Sequence, residues 1–168
     1  WPGLFVKALK DKHKVEVKLV NPAIGGTELR QNLILMPRWA AGTPEPDLVT
    51  ICFGANDWES GMRGAMFQET LREAVDRVRR MTKGRSDVLL MTTVPGVEKW
   101  TTRTELADAA RAVATERKAG LADTEKAFLA AGKDNKEALF CSDKVHLGPV
   151  GHELVAATVL EALFKGGR

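Results

Sequence analysis

Two short apolar runs, Leu48–Phe53 and Val88–Val94, most constrain what this chain can fold into. Leu48–Phe53 follows a Thr-Pro-Glu-Pro-Asp turn and ends at Gly54, while Val88–Val94 lies between Gly84 and Pro95-Gly96. Short apolar runs bounded by Gly and Pro suit strands buried on both faces of a parallel sheet. The valine-rich run Val15–Val20, followed by Asn21-Pro22, reads as a further strand, and Ala119–Ala122 as a weaker one. Helical patterns fill the intervals at Pro2–Lys10, Glu28–Trp39, Phe67–Met81, Thr104–Lys118, Thr124–Ala131 and Val150–Phe164. Within Phe67–Met81, Leu71, Val75 and Val78 repeat at the spacing of one helix face, as do Leu154, Ala157, Leu160 and Phe164 further on. Strands that alternate with helices predict βαβ units and a mostly parallel α/β sheet.

At 168 residues the chain reads as one domain over 1–168, with no repeat, low-complexity segment or linker. Gly42–Pro46 is read as a loop into a strand. A content of 44% hydrophobic and 28% charged residues excludes a disordered tail. No apolar run approaches the ~20 residues of a spanning helix. The net charge of +3 is mild, from 25 basic and 22 acidic residues. The densest basic cluster, Arg77-Val78-Arg79-Arg80, shares its helix with Glu69, Glu73 and Asp76. It reads as a solvated face, so no nucleic-acid partner is expected. Cys52 and Cys141 lie far apart without a C-x-x-C, which favours free thiols and leaves the redox compartment open. The chain starts at Trp1-Pro2-Gly3, with neither an initiator Met nor a signal-peptide pattern.

Ligands of open α/β sheets bind at the carboxyl ends of strands, and three segments are expected there. Asn21-Pro22-Ala23-Ile24-Gly25-Gly26-Thr27 follows the first run, and Gly54-Ala55-Asn56-Asp57-Trp58 follows the second. Cys141–Pro149, which holds Asp143 and His146, precedes the last helix. A carboxylate three residues before a His can bond one imidazole nitrogen and leave the other as a general base. Alone, the pattern is weak, and the pair reads first as a structural or solvated contact. Backbone N–H groups at Gly25-Gly26 can receive an oxyanion, or the glycines can simply make a tight turn. The Asn56 amide can face developing negative charge, or Asn56-Asp57 can be a plain turn. Trp58 can wall a pocket or pack. Asp143, His146 and His152 have poor spacing for zinc, and His13 sits in a Lys-rich surface stretch. There is no G-x-G-x-x-G fingerprint and no Walker loop.

Together the three segments resemble the GDSL-type esterases, also called SGNH hydrolases. Asn21–Gly26 looks like that family's glycine block, with Gly26 the best match and Gly25 one residue off. Gly54-Ala55-Asn56-Asp57 is similar to its G-x-N-D turn, and Asp143-Lys144-Val145-His146 to its D-x-x-H pair. The resemblance implies a three-layer α/β/α sandwich on a flavodoxin-like parallel sheet. It implies a serine esterase in which Asp143 orients His146, and Gly26 and Asn56 hold the oxyanion. Gly25, Asp57 and Trp58 are expected around the substrate. No metal and no organic cofactor is implied.

The family's G-D-S serine has no counterpart here: Ser60 follows the G-x-N-D turn, Ser86 precedes a strand at the wrong end of the sheet, and Ser142 lacks a strand-turn-helix setting. The resemblance therefore implies that the central first strand and its Ser precede Trp1. Short strand-end loops suggest a shallow site for a small acyl group, such as acetyl on a carbohydrate, with Trp58 and Trp100 available to stack or pack. A binding module without the Ser stays open as the alternative. Export is the expectation drawn from what many relatives do.

Overall fold

The computed structural model describes residues 1–42 and 45–165; residues 43 and 44 of the expected Gly42–Pro46 loop lie outside them. Three strands, β1 (Leu48–Cys52), β2 (Asp87–Met91) and β3 (Gly120–Ala122), form a sheet in the order β1-β2-β3. Both pairings are parallel, with Leu48 opposite Asp87 and Leu89 opposite Gly120. The expected second and third apolar runs and the weak Ala119–Ala122 run are therefore all strands.

Alternation along β2 builds the layers. Val88 and Leu90 point into a core with Leu29, Leu33, Leu71, Val75 and Val113, supplied by α2 (Leu29–Gly42), α4 (Gly64–Met81) and α5 (Thr104–Glu116). Leu89 and Met91 point the other way, into a core with Phe5, Leu9, Phe128, Val155 and Val159. That second layer comes from α1 (Pro2–His13), α6 (Thr124–Ala131) and α7 (Pro149–Lys165). Successive residues of a strand face opposite sides, so a strand apolar at every position must be covered twice. The result is an α/β fold with helices on both faces of a parallel sheet, and a short α3 (Ala55–Glu59) after β1.

Val15–Val20 corrects the strand reading. The run adopts no regular secondary structure, and Val15, Leu19 and Val20 are exposed. A strand is held by ladder hydrogen bonds to a neighbour, and among the described residues β1 pairs only with β2. Val17 alone of this run packs against the core. Helix boundaries shift modestly: α4 starts at Gly64, three residues before the expected start, and α1 runs on to His13. His13 stacks its ring on Phe164, with centroids 3.8 Å apart.

The basic cluster on α4 is tied down by neighbours. Arg77 and Arg80 both bond Glu73, at 2.6 and 3.1 Å, and Arg79 donates to the Lys118 carbonyl.

Leu90 has no exposed surface and sits at the centre of the sheet. Leu90→Ala is expected to lower the unfolding free energy by about 3 kcal/mol through lost burial and a residual cavity. Urea denaturation measures this as a fall in midpoint at an unchanged slope.

Candidate active site

Beyond β1 the chain turns sharply at Gly54, where φ is 125°. A Cβ there would lie 1.9 Å from Oγ1 of Thr93, on the segment leaving β2. The Thr93 hydroxyl in turn donates to the Phe53 carbonyl at 3.1 Å. Only glycine meets both demands, the left-handed backbone and the close approach. The turn delivers Asn56 and Asp57 into the first turn of α3.

Asp57 is fully buried. Its Oδ2 accepts the Gly54 N–H at 2.9 Å, and its Oδ1 accepts the Leu29 N–H at 2.8 Å. Burial pushes its carboxyl above the ordinary range, the two N–H donors pull it back, and the nearby Glu28 carboxylate adds to the rise. Asp57 thus stands behind the surface and joins the β1 turn to the start of α2. The sequence reading put it at the substrate pocket; its position is structural support for the neighbouring Asn56.

Asn56 is exposed, and its Nδ2 donates to the Thr27 carbonyl at 3.2 Å. The second hydrogen of that amide is left for another acceptor. Thr27 adjoins the Gly25-Gly26 turn, in which Gly26 has φ 78° and open space around it. The Thr27 hydroxyl donates to the Ile24 carbonyl at 2.7 Å and accepts Nδ2 of Asn32 at 2.8 Å, which sets the shape of that loop. Two segments that are far apart in sequence thus meet edge to edge at Asn56 and Thr27.

The Asp143–His146 pair sits in a loop pinned at its base by an antiparallel bridge between Phe140 and Leu147. The Cys141 N–H donates to the His146 carbonyl at 2.7 Å, and Lys144 makes the turn with φ 61°. Asp143 Oδ1 accepts both the Val145 and His146 N–H groups at 2.9 Å, while its Oδ2 lies 2.7 Å from His146 Nδ1. The Val145 N–H first, then the His146 imidazole and N–H, hold the Asp143 carboxyl down at about 2. With Nδ1 donating to this carboxylate, Nε2 carries the lone pair, and the imidazole is 81% exposed. The Val97 N–H donates to the Lys144 carbonyl at 3.3 Å, which fastens the loop to the outlet of β2.

A cleft of about 280 Å³ joins these parts. Its walls are Ala55, Val94 and Pro95, the Val145-His146-Leu147 stretch, Arg103 and His152. His146 and Ala55, the residue before Asn56, therefore border one hollow, whereas Gly25, Gly26, Asn56, Asp57, Trp58 and Asp143 lie outside its lining. Trp58 is half-buried, with the Arg63 guanidinium 3.9 Å above its ring. Trp100 packs edge-on against Phe140 at 6.3 Å. His152 Nδ1 is 3.0 Å from the Trp1 amino group. Arg103 carried no signal in the sequence, because nothing local separates it from the other basic residues.

Cys52 and Cys141 are free thiols. Ser60 donates to the Asp57 carbonyl, Ser86 to the Pro46 carbonyl, and Ser142 is exposed beside Asp143. Among the described residues no serine hydrogen-bonds to His146, and no three His, Cys, Asp or Glu side chains form a metal-binding group. None of the helices searched is long and apolar enough to cross a membrane.

A family model described as the GDSL-like Lipase/Acylhydrolase family matches residues 1–154. No curated protein matches. Among solved structures, LAE5, an alpha/beta hydrolase enzyme from the metagenome of Lake Arreo, is 22% identical, with a TM-score of 0.82 over 99% of this chain and 82% of that one. The lipase/acylhydrolase from Enterococcus faecalis is 22% identical, with a TM-score of 0.79 over 95% and 82%. Axe2, an acetylxylan esterase from Geobacillus stearothermophilus, is 25% identical, with a TM-score of 0.77 over 98% and 80%.

Asp57→Ala leaves two N–H groups, those of Gly54 and Leu29, without their acceptor. At about 1–3 kcal/mol for each unsatisfied group, the variant is expected to lose about 3 kcal/mol of stability by urea denaturation. A second expectation concerns pH. The Asp143 carboxyl is lower in the fold than in the unfolded chain, so the contacts of the loop are intact above about pH 4 and weaken as pH falls through about 2. The Val145 and His146 amide shifts, followed by NMR, should titrate with a midpoint near 2 and not near 4.

Proposed function

The chain belongs to the GDSL-like lipase/acylhydrolase family, a family of hydrolases, and from that premise we propose that it hydrolyses a short-chain acyl ester by serine acyl transfer. The observation that carries the proposal is the Asp143–His146 pair at 2.7 Å, with an exposed imidazole that borders the same cleft as Ala55. In this reading a serine hydroxyl attacks the ester carbonyl, and His146 Nε2 takes its proton. His146 then returns that proton to the leaving alcohol. Asp143 holds the imidazole in one tautomer and stabilises the imidazolium. The Gly26 N–H and the unused Nδ2 hydrogen of Asn56, which lie just beyond the cleft lining on the side of Ala55, are assigned the negative charge of the tetrahedral intermediate.

The serine is proposed to lie on a strand preceding Trp1 that pairs along the outer edge of β1. Support comes from that edge, which has no partner among the described residues, and from the exposed apolar run Val15–Val20. The proposed substrate is a small acyl group, acetyl or similar, with a carbohydrate as one candidate alcohol. The modest cleft and the likeness to an acetylxylan esterase favour it.

A second reading, a hydrolase-like module that binds a ligand without turnover, is favoured by the lack of a serine bonded to His146 among the described residues. One experiment separates the two. The chain is expressed with the coding sequence immediately upstream and assayed on p-nitrophenyl acetate. The esterase reading expects turnover, loss of nearly all of it in His146→Ala, and a fall in kcat of about 10²–10³-fold in Asn56→Ala. No turnover from the extended chain, with acetate esters still bound, selects the binding module.

A further inference from the structure

The cleft contains one charged group that the esterase chemistry does not use. Arg103, at the start of α5, is only 8% exposed and yet lines the hollow beside His146. Its Nη2 donates to Glu59 at 2.7 Å. Its Nε is sealed from solvent and has no hydrogen-bond partner. Its Nη1 is the nearest atom to the position a Cβ would take on Gly96, at 3.6 Å, so the guanidinium packs beside the backbone that follows the Val94-Pro95 wall.

The charge around Arg103 is unbalanced. Glu59 is shared with Lys99, whose ammonium reaches both carboxylate oxygens at 2.5 and 2.6 Å. Two cations thus meet one acid. Asp143, behind His146, is engaged by that imidazole. A guanidinium that lines the cleft, that shares its one carboxylate with a second cation, and whose Nη1 makes no hydrogen bond among the described residues is best completed by an anion. A carboxylate fits best, since its two oxygens accept charge-assisted bonds from a guanidinium.

We propose that the cleft selects esters that also carry a carboxylate, with Arg103 as the residue that recognises it. This rests on the esterase reading of the same cleft and names its substrate class: half-esters of dicarboxylic acids, or esters on acidic sugars. Arg103 acts on specificity and takes no part in the proton transfers.

The test uses a matched pair of probes, monomethyl succinate, which is anionic, and dimethyl succinate, which is neutral. Binding to the chain is followed by NMR at the His146 imidazole and the Arg103 Nε–H. The expected result is at least tenfold tighter binding of monomethyl succinate, with the preference shrinking as salt is added. In Arg103→Gln the preference should vanish; Arg103→Lys should keep part of it. If Arg103→Gln does not fold, the contrast between the two probes and its salt dependence in the unaltered chain decide. Equal affinity for the two esters, or a preference that survives in Arg103→Gln, overturns the role of Arg103 and leaves the esterase reading standing. If neither ester perturbs His146, the reading of the cleft itself falls, and this inference with it.

Discussion

Because β1, β2 and β3 run parallel, each return path must cross a face of the sheet, and each strand must open its carboxyl end on the same side. The helices are the crossovers. The loops after β1 and β2 come out together, and the Cys141–Leu147 loop is fastened to them through the bond from Val97 to Lys144. The cleft exists at that end because the sheet allows no other place for these loops to gather.

Within that edge the precision comes from buried acceptors. Asp57 takes one N–H from the β1 turn and one from the start of α2, and so holds two loops at a common distance. The exposed bond from Asn56 to Thr27 lies on top of this buried link. Gly54 is needed for the same reason: Thr93 fills the space a side chain would occupy. The Asp143 loop has its own version, in which one carboxylate accepts two backbone N–H groups and the imidazole. In both loops a carboxylate bonded to backbone N–H groups fixes the turn that carries an exposed neighbour, Asn56 or His146.

The reading of the chain succeeded where local pattern and tertiary demand agree. Leu48–Cys52 and Asp87–Met91 are apolar on both faces, and only a sheet covered twice satisfies that. Val15–Val20 has an equally good β pattern and forms no strand, because strand identity depends on a hydrogen-bonding neighbour and not on side chains alone. The Asp143–His146 contact was legible from its spacing of three, since both partners lie in one turn. The burial of Asp57 was not. An Asp after an Asn reads the same whether it faces solvent or a sealed pair of N–H groups.

The sequence by itself determined the α/β architecture, the parallel sheet and the residues of the three site segments. It did so because periodicity, turn residues and short-range spacings are local properties of the chain. Only the tertiary structure decided that Asp57 lies behind Asn56, that Gly26 and Trp58 stay outside the cleft, and that Arg103 enters it. Those facts concern burial and contact between segments up to about a hundred residues apart, and burial is set by the packing of the whole domain.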